Sequence, residues 1–179
     1  MTPKSLASIA LAFTAVGAAG GIAMAAQDRS TLKVPDGLAF SEFKGYETWQ
    51  GVASSQTKDQ IKMIVANPAM IAAYKQGLPA KDKTFPDGVK IVKIEWALKA
   101  STGAAAPYAV NVPGDLQAVA MILKDTKRFP KTHGWAYALF EYDAATKTLK
   151  PKGTGADCGF ACHTNVATDD YIFTHYPVR

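Results

Sequence analysis

The sequence is poor in cysteine, with two in 179 residues, Cys158 and Cys162. It lacks a run of basic residues interleaved with aromatic side chains, the pattern that follows a nucleic-acid backbone. It also lacks a glycine-rich phosphate loop and any β-α-β alternation, so nothing in it predicts a parallel-sheet nucleotide-binding domain. The formal net charge of +5 comes from scattered lysines and indicates a solvated basic surface. No nucleic-acid partner is expected.

A long uncharged segment occurs only once, between Leu6 and Ala26. It follows a single lysine, Lys4, and ends in small residues with an A-x-A-like cleavage site at Ala23 to Ala25. An uncleaved membrane anchor is the alternative, because the segment is about long enough to cross a bilayer. Alanine and glycine dominate it, however, and give little transfer energy into a bilayer, while the small residues at its end favour cleavage. We predict a signal peptide over residues 1–26 and one mature domain over residues 27–179.

The remaining sequence predicts several strands and few helices. In "NPAMIAAYKQG", Asn67 can cap a helix, Pro68 suits its first position and Gly77 suits the position after its end. "SEFKGYETW" indicates a short helix capped by Ser41, and "TKTLKPKGTGAD" indicates a loop. The predicted strands lie in "IKMIVA", "FPDGVKIVKIEWALK", "LQAVAMILKD" and "GWAYALFEYD". These elements predict an α+β fold, an antiparallel β-sheet with a few short α-helices.

The two cysteines belong to "CGFACH", in which His163 follows Cys162 directly. The usual covalent-haem signature is C-x-x-C-H, and this one is a residue longer. The extra residue requires a bulged turn, for which Gly159 can supply unusual backbone angles. A disulfide is the first alternative, but it leaves the histidine unexplained. Zinc is the second, and it needs further ligands besides these residues. The local motif favours haem over the disulfide, and the disulfide over zinc.

Five segments in sequence order resemble the cytochrome P-460 family, which includes cytochrome c′-beta. They are "FPDGVKIVKIEW", "LKDTKRF", "HGWAYALFEYD", "CGFACHTN" and "DDYIFTHYP". The resemblance implies a periplasmic, largely β-sheet protein, often homodimeric, with one covalent c-type haem and an open sixth position on the iron. It implies that Cys158 and Cys162 are the thioether donors and that His163 is the iron ligand.

In one branch of this family a lysine downstream of a "DG" turn is bonded to the porphyrin, and Lys93 matches it here. Period-two alternation puts Lys93 on the same strand face as Val89, Ile91 and Ala97. Burial on an apolar face would make this lysine more nucleophilic. We expect the lysine–porphyrin cross-link; a solvated strand lysine is the alternative.

The sequence departs from the family pattern at Ala120. Members that oxidise hydroxylamine have a glutamate there, counting back without gaps from Lys124. No residue from Leu116 to Leu123 can accept a proton, although a positioned base typically contributes roughly 10²–10⁴-fold.

Two functions are therefore expected from the resemblance. In the first, the protein binds hydroxylamine or nitric oxide and oxidises hydroxylamine slowly, passing electrons to a periplasmic acceptor such as a soluble cytochrome. In the second, it is a non-enzymatic nitric-oxide-binding, sensing or electron-carrying protein of the cytochrome c′-beta type.

Overall fold

A single antiparallel sheet organises the molecule. The computed structural model describes residues 27–35, 37–101, 108–153 and 159–178. Six strands lie in the order β1-β2-β3-β4-β5-β6, so each pairs with its neighbours in sequence. The strands are β1 (Gln50–Gln56), β2 (Gln60–Ala66), β3 (Lys90–Ser101), β4 (Val110–Lys124), β5 (Trp135–Asp143) and β6 (Thr148–Gly153). With the short helices described next, this confirms the predicted α+β fold in a single domain.

Helix α1 (Pro68–Lys75) has the ends that the sequence predicts. The Asn67 side chain accepts hydrogen bonds from the backbone N–H groups of Met70 and Lys90, each at 3.0 Å. One side chain therefore caps the helix and fixes it to the start of β3. After the helix, Gly77 has a φ of +89°, a left-handed conformation that glycine adopts without steric cost.

Both faces of the sheet are covered, which is why the central strands are apolar on both sides. One face carries a cluster of buried residues that includes Val92, Val119 and Phe140, packed against the N-terminal segment through Phe40 and Phe43. The second face carries another cluster, and its members from the sheet and α1 are Val52, Ala66, Met70, Ile71, Ala73, Tyr74, Ile91, Trp135 and Tyr137. The chain after the cysteine motif packs on this second face through Ile172.

Two predicted segments differ in the structure. Residues Phe40–Phe43 form a 3-10 helix whose N-cap is Ala39, with the backbone N–H of Ala39 donating to the Glu42 carboxylate at 3.0 Å. Ser41 lies inside this turn and does not cap it. The segment predicted as a loop contains β6, because Thr148–Gly153 pairs with β5. Backbone pairing with β5 outweighs the polar, Pro- and Gly-containing composition of β6, which is tolerated because β6 is an edge strand of the sheet.

The C-terminal chain is fixed to the sheet by a buried ion pair. Helix α2 (Ala161–His163) is followed by a 3-10 helix, Thr164–Asp169, and then by Asp170. The Asp170 carboxylate pairs with Lys124 and accepts hydrogen bonds from the Phe85 backbone N–H at 2.6 Å and the Trp135 indole N–H at 3.3 Å. Asp170 and Lys124 are 5% and 2% exposed. This contact determines where the chain runs after His163. None of the helices in the described ranges is long and apolar enough to cross a membrane.

Candidate functional site

Strand register brings Lys93 and Ala120 side by side. Lys93 on β3 is paired with Ala120 on β4, with Ile64 of β2 and Leu139 of β5 on either side. Directly paired residues in antiparallel strands project to the same face, so these four side chains form one row across the sheet. The row lies on the face that α1 and the C-terminal chain cover.

A cavity of about 490 Å³ lies over this row. Its walls are mainly apolar and come from β2 to β6, from Gly159 and α2, and from the C-terminal chain. Its lining residues are Ile64, Ile91, Lys93, Ala120, Met121, Ile122, Tyr137, Ala138, Leu139, Lys152, Gly153, Gly159, Cys162, His163, Ile172, Phe173 and Thr174. Cofactor sites in proteins typically have volumes of roughly 300–1,000 Å³ and apolar walls with a few polar groups. The cavity has the size and character of such a site.

His163 is held with one ring nitrogen engaged. Its Nδ1 lies 2.5 Å from the carbonyl oxygen of Tyr171, an acceptor, so Nδ1 carries the hydrogen and Nε2 keeps its lone pair. Burial lowers the pKa of His163; the hydrogen bond to Tyr171 opposes this shift, and the positive charge of Lys93 adds to it. The rings of Tyr137 and Phe173 each lie 4.9 Å from the imidazole, between centroids. A neutral, oriented imidazole of this kind is suited to bind a metal through Nε2.

The cysteine motif lies at the same cavity. Cys162 is at the cavity wall next to His163, and its thiol is free and exposed. Cys158 lies outside the described residues, so its predicted role is not addressed by the structure. Across the described ranges, no group of three or more His, Cys, Asp or Glu side chains is arranged to hold a metal ion. The zinc alternative therefore gains no support from the described part of the chain.

Gly159 is required for a reason that the sequence did not indicate. Its φ lies outside the left-handed region, so the longer motif does not use it for a positive φ. Instead, a Cβ added at Gly159 would lie 2.6 Å from Cγ of Tyr137, far inside van der Waals contact. The motif therefore needs glycine because its backbone packs directly on an aromatic ring of β5.

Lys93 is less buried than the sequence predicted. Its side chain is 39% exposed, and Nζ lies 2.7 Å from Oε1 of Glu95. Glu95 is only 13% exposed, and the same oxygen lies 3.9 Å from Nζ of Lys62. The alternation that grouped Lys93 with Ile91 also put Glu95 on that face, so the sequence contained this signal. The face near Lys93 therefore has a charged group and is not uniformly apolar.

The residues present fit a haem. The cavity has the required volume, its walls are apolar, and an oriented histidine lies next to a free cysteine. Tyr137, also at the wall, has a buried hydroxyl without a hydrogen-bond partner among the described residues. Burial, with smaller effects of Asp170 and Tyr171, raises the pKa of Tyr137 well above its usual value, so this hydroxyl stays a donor.

This fold and this cavity define a small β-sheet protein with a haem-sized apolar cavity between the sheet and its C-terminal chain. The sequence model of the cytochrome P460 family matches residues 43–174, and the chain belongs to that family. No curated protein sequence matches the chain significantly. Family membership implies a haem cofactor and a cytochrome. The predicted family is confirmed, while the individual roles of Cys158, Cys162, His163 and Lys93 stay predictions.

Proposed function

We propose that the chain is a periplasmic mono-haem c-type cytochrome that binds small nitrogen ligands, such as hydroxylamine and nitric oxide. In this proposal Cys158 and Cys162 form the thioether bonds to the haem, and His163 is the protein's ligand to the iron. The observation that carries it is that Lys93, Ala120, Cys162 and His163 line one apolar cavity, although they come from three separate parts of the sequence. When bound, the haem supplies an iron site that holds a ligand and exchanges electrons.

The chain's own residues prepare this site. The Tyr171 carbonyl accepts the hydrogen on Nδ1 of His163, which orients the ring and leaves Nε2 as the ligand atom. The pKa of His163 is lowered by its burial, so a proton competes weakly for that nitrogen. The apolar side chains of Ile64, Ile91 and Leu139 surround Lys93 and Ala120 on the cavity wall, so few polar groups compete for a bound ligand there.

We also propose that Lys93 forms an additional bond to the porphyrin. Its ammonium group is held by Glu95 at 2.7 Å, and its side chain lies at the cavity wall next to Ala120. Lys152 also lines the cavity, but it lies on β6 and pairs with Glu141 at 3.2 Å. This second lysine is a natural control for the first.

The proposed reaction is slow oxidation of hydroxylamine. A periplasmic acceptor such as a soluble cytochrome would take the electrons, and the protein would act as a homodimer. The methyl group of Ala120 supports a second candidate, because an apolar wall without a carboxylate suits capture of an uncharged gas. In that case the protein binds, senses or carries electrons for nitric oxide in the manner of cytochrome c′-beta.

The test is the optical spectrum and acid–acetone extraction of the purified holoprotein. We expect the haem to stay on the wild-type chain, and Cys158→Ala or Cys162→Ala to leave at most one thioether bond. We expect a red-shifted ferrous Soret band in wild type, lost in Lys93→Leu and kept in Lys152→Leu. Complete extraction of haem from wild type would contradict covalent attachment, and an ordinary c-type spectrum in wild type would contradict the lysine bond.

A further inference from the structure

We propose that Asp170 is a positioning residue for His163. Its buried side chain holds the Tyr171 carbonyl against Nδ1 of the imidazole, and this strengthens the bond that His163 makes to the iron. The inference rests on the proposed function, because it concerns His163 as the ligand of a haem iron. It assigns the buried ion pair a role in the chemistry of the site in addition to its role in stability.

The backbone that carries this carbonyl is strained. Asp170 and Tyr171 are consecutive, and both have positive φ angles, +49° and +65°. Residues other than glycine enter this left-handed region at a cost of roughly 1–2 kcal/mol each, and usually singly. Aspartate tolerates it better than most residues, whereas it is uncommon for a bulky side chain such as tyrosine. Two such residues in succession therefore need surrounding contacts that hold them there.

The Asp170 side chain supplies contacts of this kind. Its carboxylate pairs with Lys124 and accepts hydrogen bonds from the Phe85 backbone N–H at 2.6 Å and the Trp135 indole N–H at 3.3 Å. Lys124 ends β4, Trp135 begins β5, and Phe85 lies shortly before β3. The turn is thus tied to the sheet through a group that is only 5% exposed.

Tyr171 is held through its backbone and its ring. Its N–H donates to the carbonyl of Val166 at 3.0 Å, and its ring stacks on His133 with 5.0 Å between centroids and 21° between planes. The preceding residue, the N–H and the ring are therefore all fixed, so the carbonyl keeps one direction. That direction brings its oxygen to 2.5 Å from Nδ1 of His163.

This arrangement affects the iron ligand electronically as well as geometrically. A histidine that donates its second ring N–H to a firmly held acceptor is a more basic ligand. A more basic ligand stabilises ferric iron more than ferrous iron, and so lowers the reduction potential of the haem. Without the Asp170 contacts the turn can relax away from positive φ, which makes the hydrogen bond to His163 longer and weaker.

The experiment compares haem-loaded wild type with Asp170→Asn and with Lys124→Met/Asp170→Asn. Resonance Raman spectra of the ferrous protein give the iron–histidine stretching frequency, and spectroelectrochemistry gives the reduction potential. We expect both variants to have a lower frequency, because the asparagine amide has one acceptor atom where the carboxylate has two. We also expect a higher potential, by roughly tenfold in the ferrous-to-ferric equilibrium or about 59 mV for one electron.

A purely structural role predicts that these quantities follow stability, which urea unfolding measures. Lys124→Met/Asp170→Asn should recover part of the stability lost in Asp170→Asn, since no unpaired charge remains buried, while its iron–histidine frequency stays low. Phe40→Leu is the matched control, because Phe40 is buried on the opposite face of the sheet. It should lose stability but keep the wild-type frequency and potential.

Wild-type frequency and potential in both Asp170 variants would overturn the inference, as would a frequency that recovers with stability in the double variant or falls in Phe40→Leu. If neither Asp170 variant folds, Trp135→Phe removes one donor to the carboxylate and keeps the ion pair. It should shift both quantities in the same direction, and wild-type values there would also overturn the inference. A wild-type ferrous spectrum without an iron–histidine band would instead overturn the proposed function, because His163 would then not be the ligand.

Discussion

The side chains at the cavity differ in how firmly their surroundings hold them. His163 is fixed by a backbone carbonyl and by two aromatic rings, whereas Lys93 is half-exposed and held mainly by Glu95. Ala120 contributes only a methyl group to the row between Lys93 and Leu139. The chemistry available at this site therefore depends on which of these positions carries a group that can exchange protons.

Ala120→Glu is expected to increase hydroxylamine oxidation by a factor on the order of 10², or about 2.7 kcal/mol off the barrier. The new carboxylate would lie within the row beside Lys93, where burial raises its pKa toward the range useful for a base. Steady-state turnover with an artificial electron acceptor measures the gain. Filling this position costs about 1–3 kcal/mol of stability.

Ala120→Gln is the control, because it adds nearly the same volume without a basic group. It should lose a similar amount of stability and gain no activity. Rapid oxidation by wild type, unchanged in Ala120→Glu, would mean that residue 120 does not lie beside the iron-bound ligand.

Packing between elements explains why glycine and phenylalanine lie between the two cysteines of the motif. The backbone at Gly159 lies against the Tyr137 ring, and Phe160 follows with its ring 6.4 Å from that of Tyr137, between centroids. Phe160 also contacts the ring of His133, which lies just before β5, and the ring of Tyr171, which follows Asp170. Aromatic side chains from three parts of the chain therefore surround the turn before α2. The position of His163 follows from this packing.

Gly159→Ala should destabilise the protein by about 1–3 kcal/mol, because the added methyl group overlaps the Tyr137 ring and the backbone must move. The displaced turn should also reduce the fraction of chains that acquire haem. Denaturant unfolding and the ratio of haem to protein absorbance measure the two effects. Gly153→Ala is the control at the same cavity, since a Cβ there meets nothing within 4 Å. Equal stability of the two variants would contradict the close contact.

At the scale of the whole molecule, one buried ion pair joins parts that are far apart in sequence. Asp170 connects the C-terminal chain to Lys124 at the end of β4, to Trp135 at the start of β5 and to Phe85 before β3. The residue after it, Tyr171, supplies the carbonyl that binds His163. The folding of the sheet and the construction of the cavity wall are therefore linked through Asp170.

Asp170→Asn should lower the free energy of unfolding by about 3–5 kcal/mol, because Lys124 would keep its charge in a buried position without a partner. Asp169→Asn, one residue earlier and more exposed, should change it little. Adding Lys124→Met to Asp170→Asn should recover part of the loss, since no unpaired charge then remains buried. Urea unfolding measures all of these variants, and a loss of stability in Asp169→Asn equal to that in Asp170→Asn would argue against the ion pair as the cause.

The sequence by itself determined the features that depend on neighbouring residues. The ends of α1 follow from Asn67, Pro68 and Gly77, and the apolar patterns of the central strands predicted an antiparallel sheet with few helices. Short motifs in order were enough to predict the family. These features could be predicted because capping, alternation and turn formation are local interactions.

Only the tertiary structure decided which distant residues meet. Pairing with β5 made a strand of Thr148–Gly153, contact with Tyr137 explained Gly159, and the register of β3 and β4 put Glu95 on the cavity side of the alanines. Pairing partners and packing contacts depend on segments far apart in the chain, and a shift of one residue in the register of β3 against β4 would put Glu95 opposite different side chains. The local sequence carries the same pattern in either register, so the site required the folded sheet.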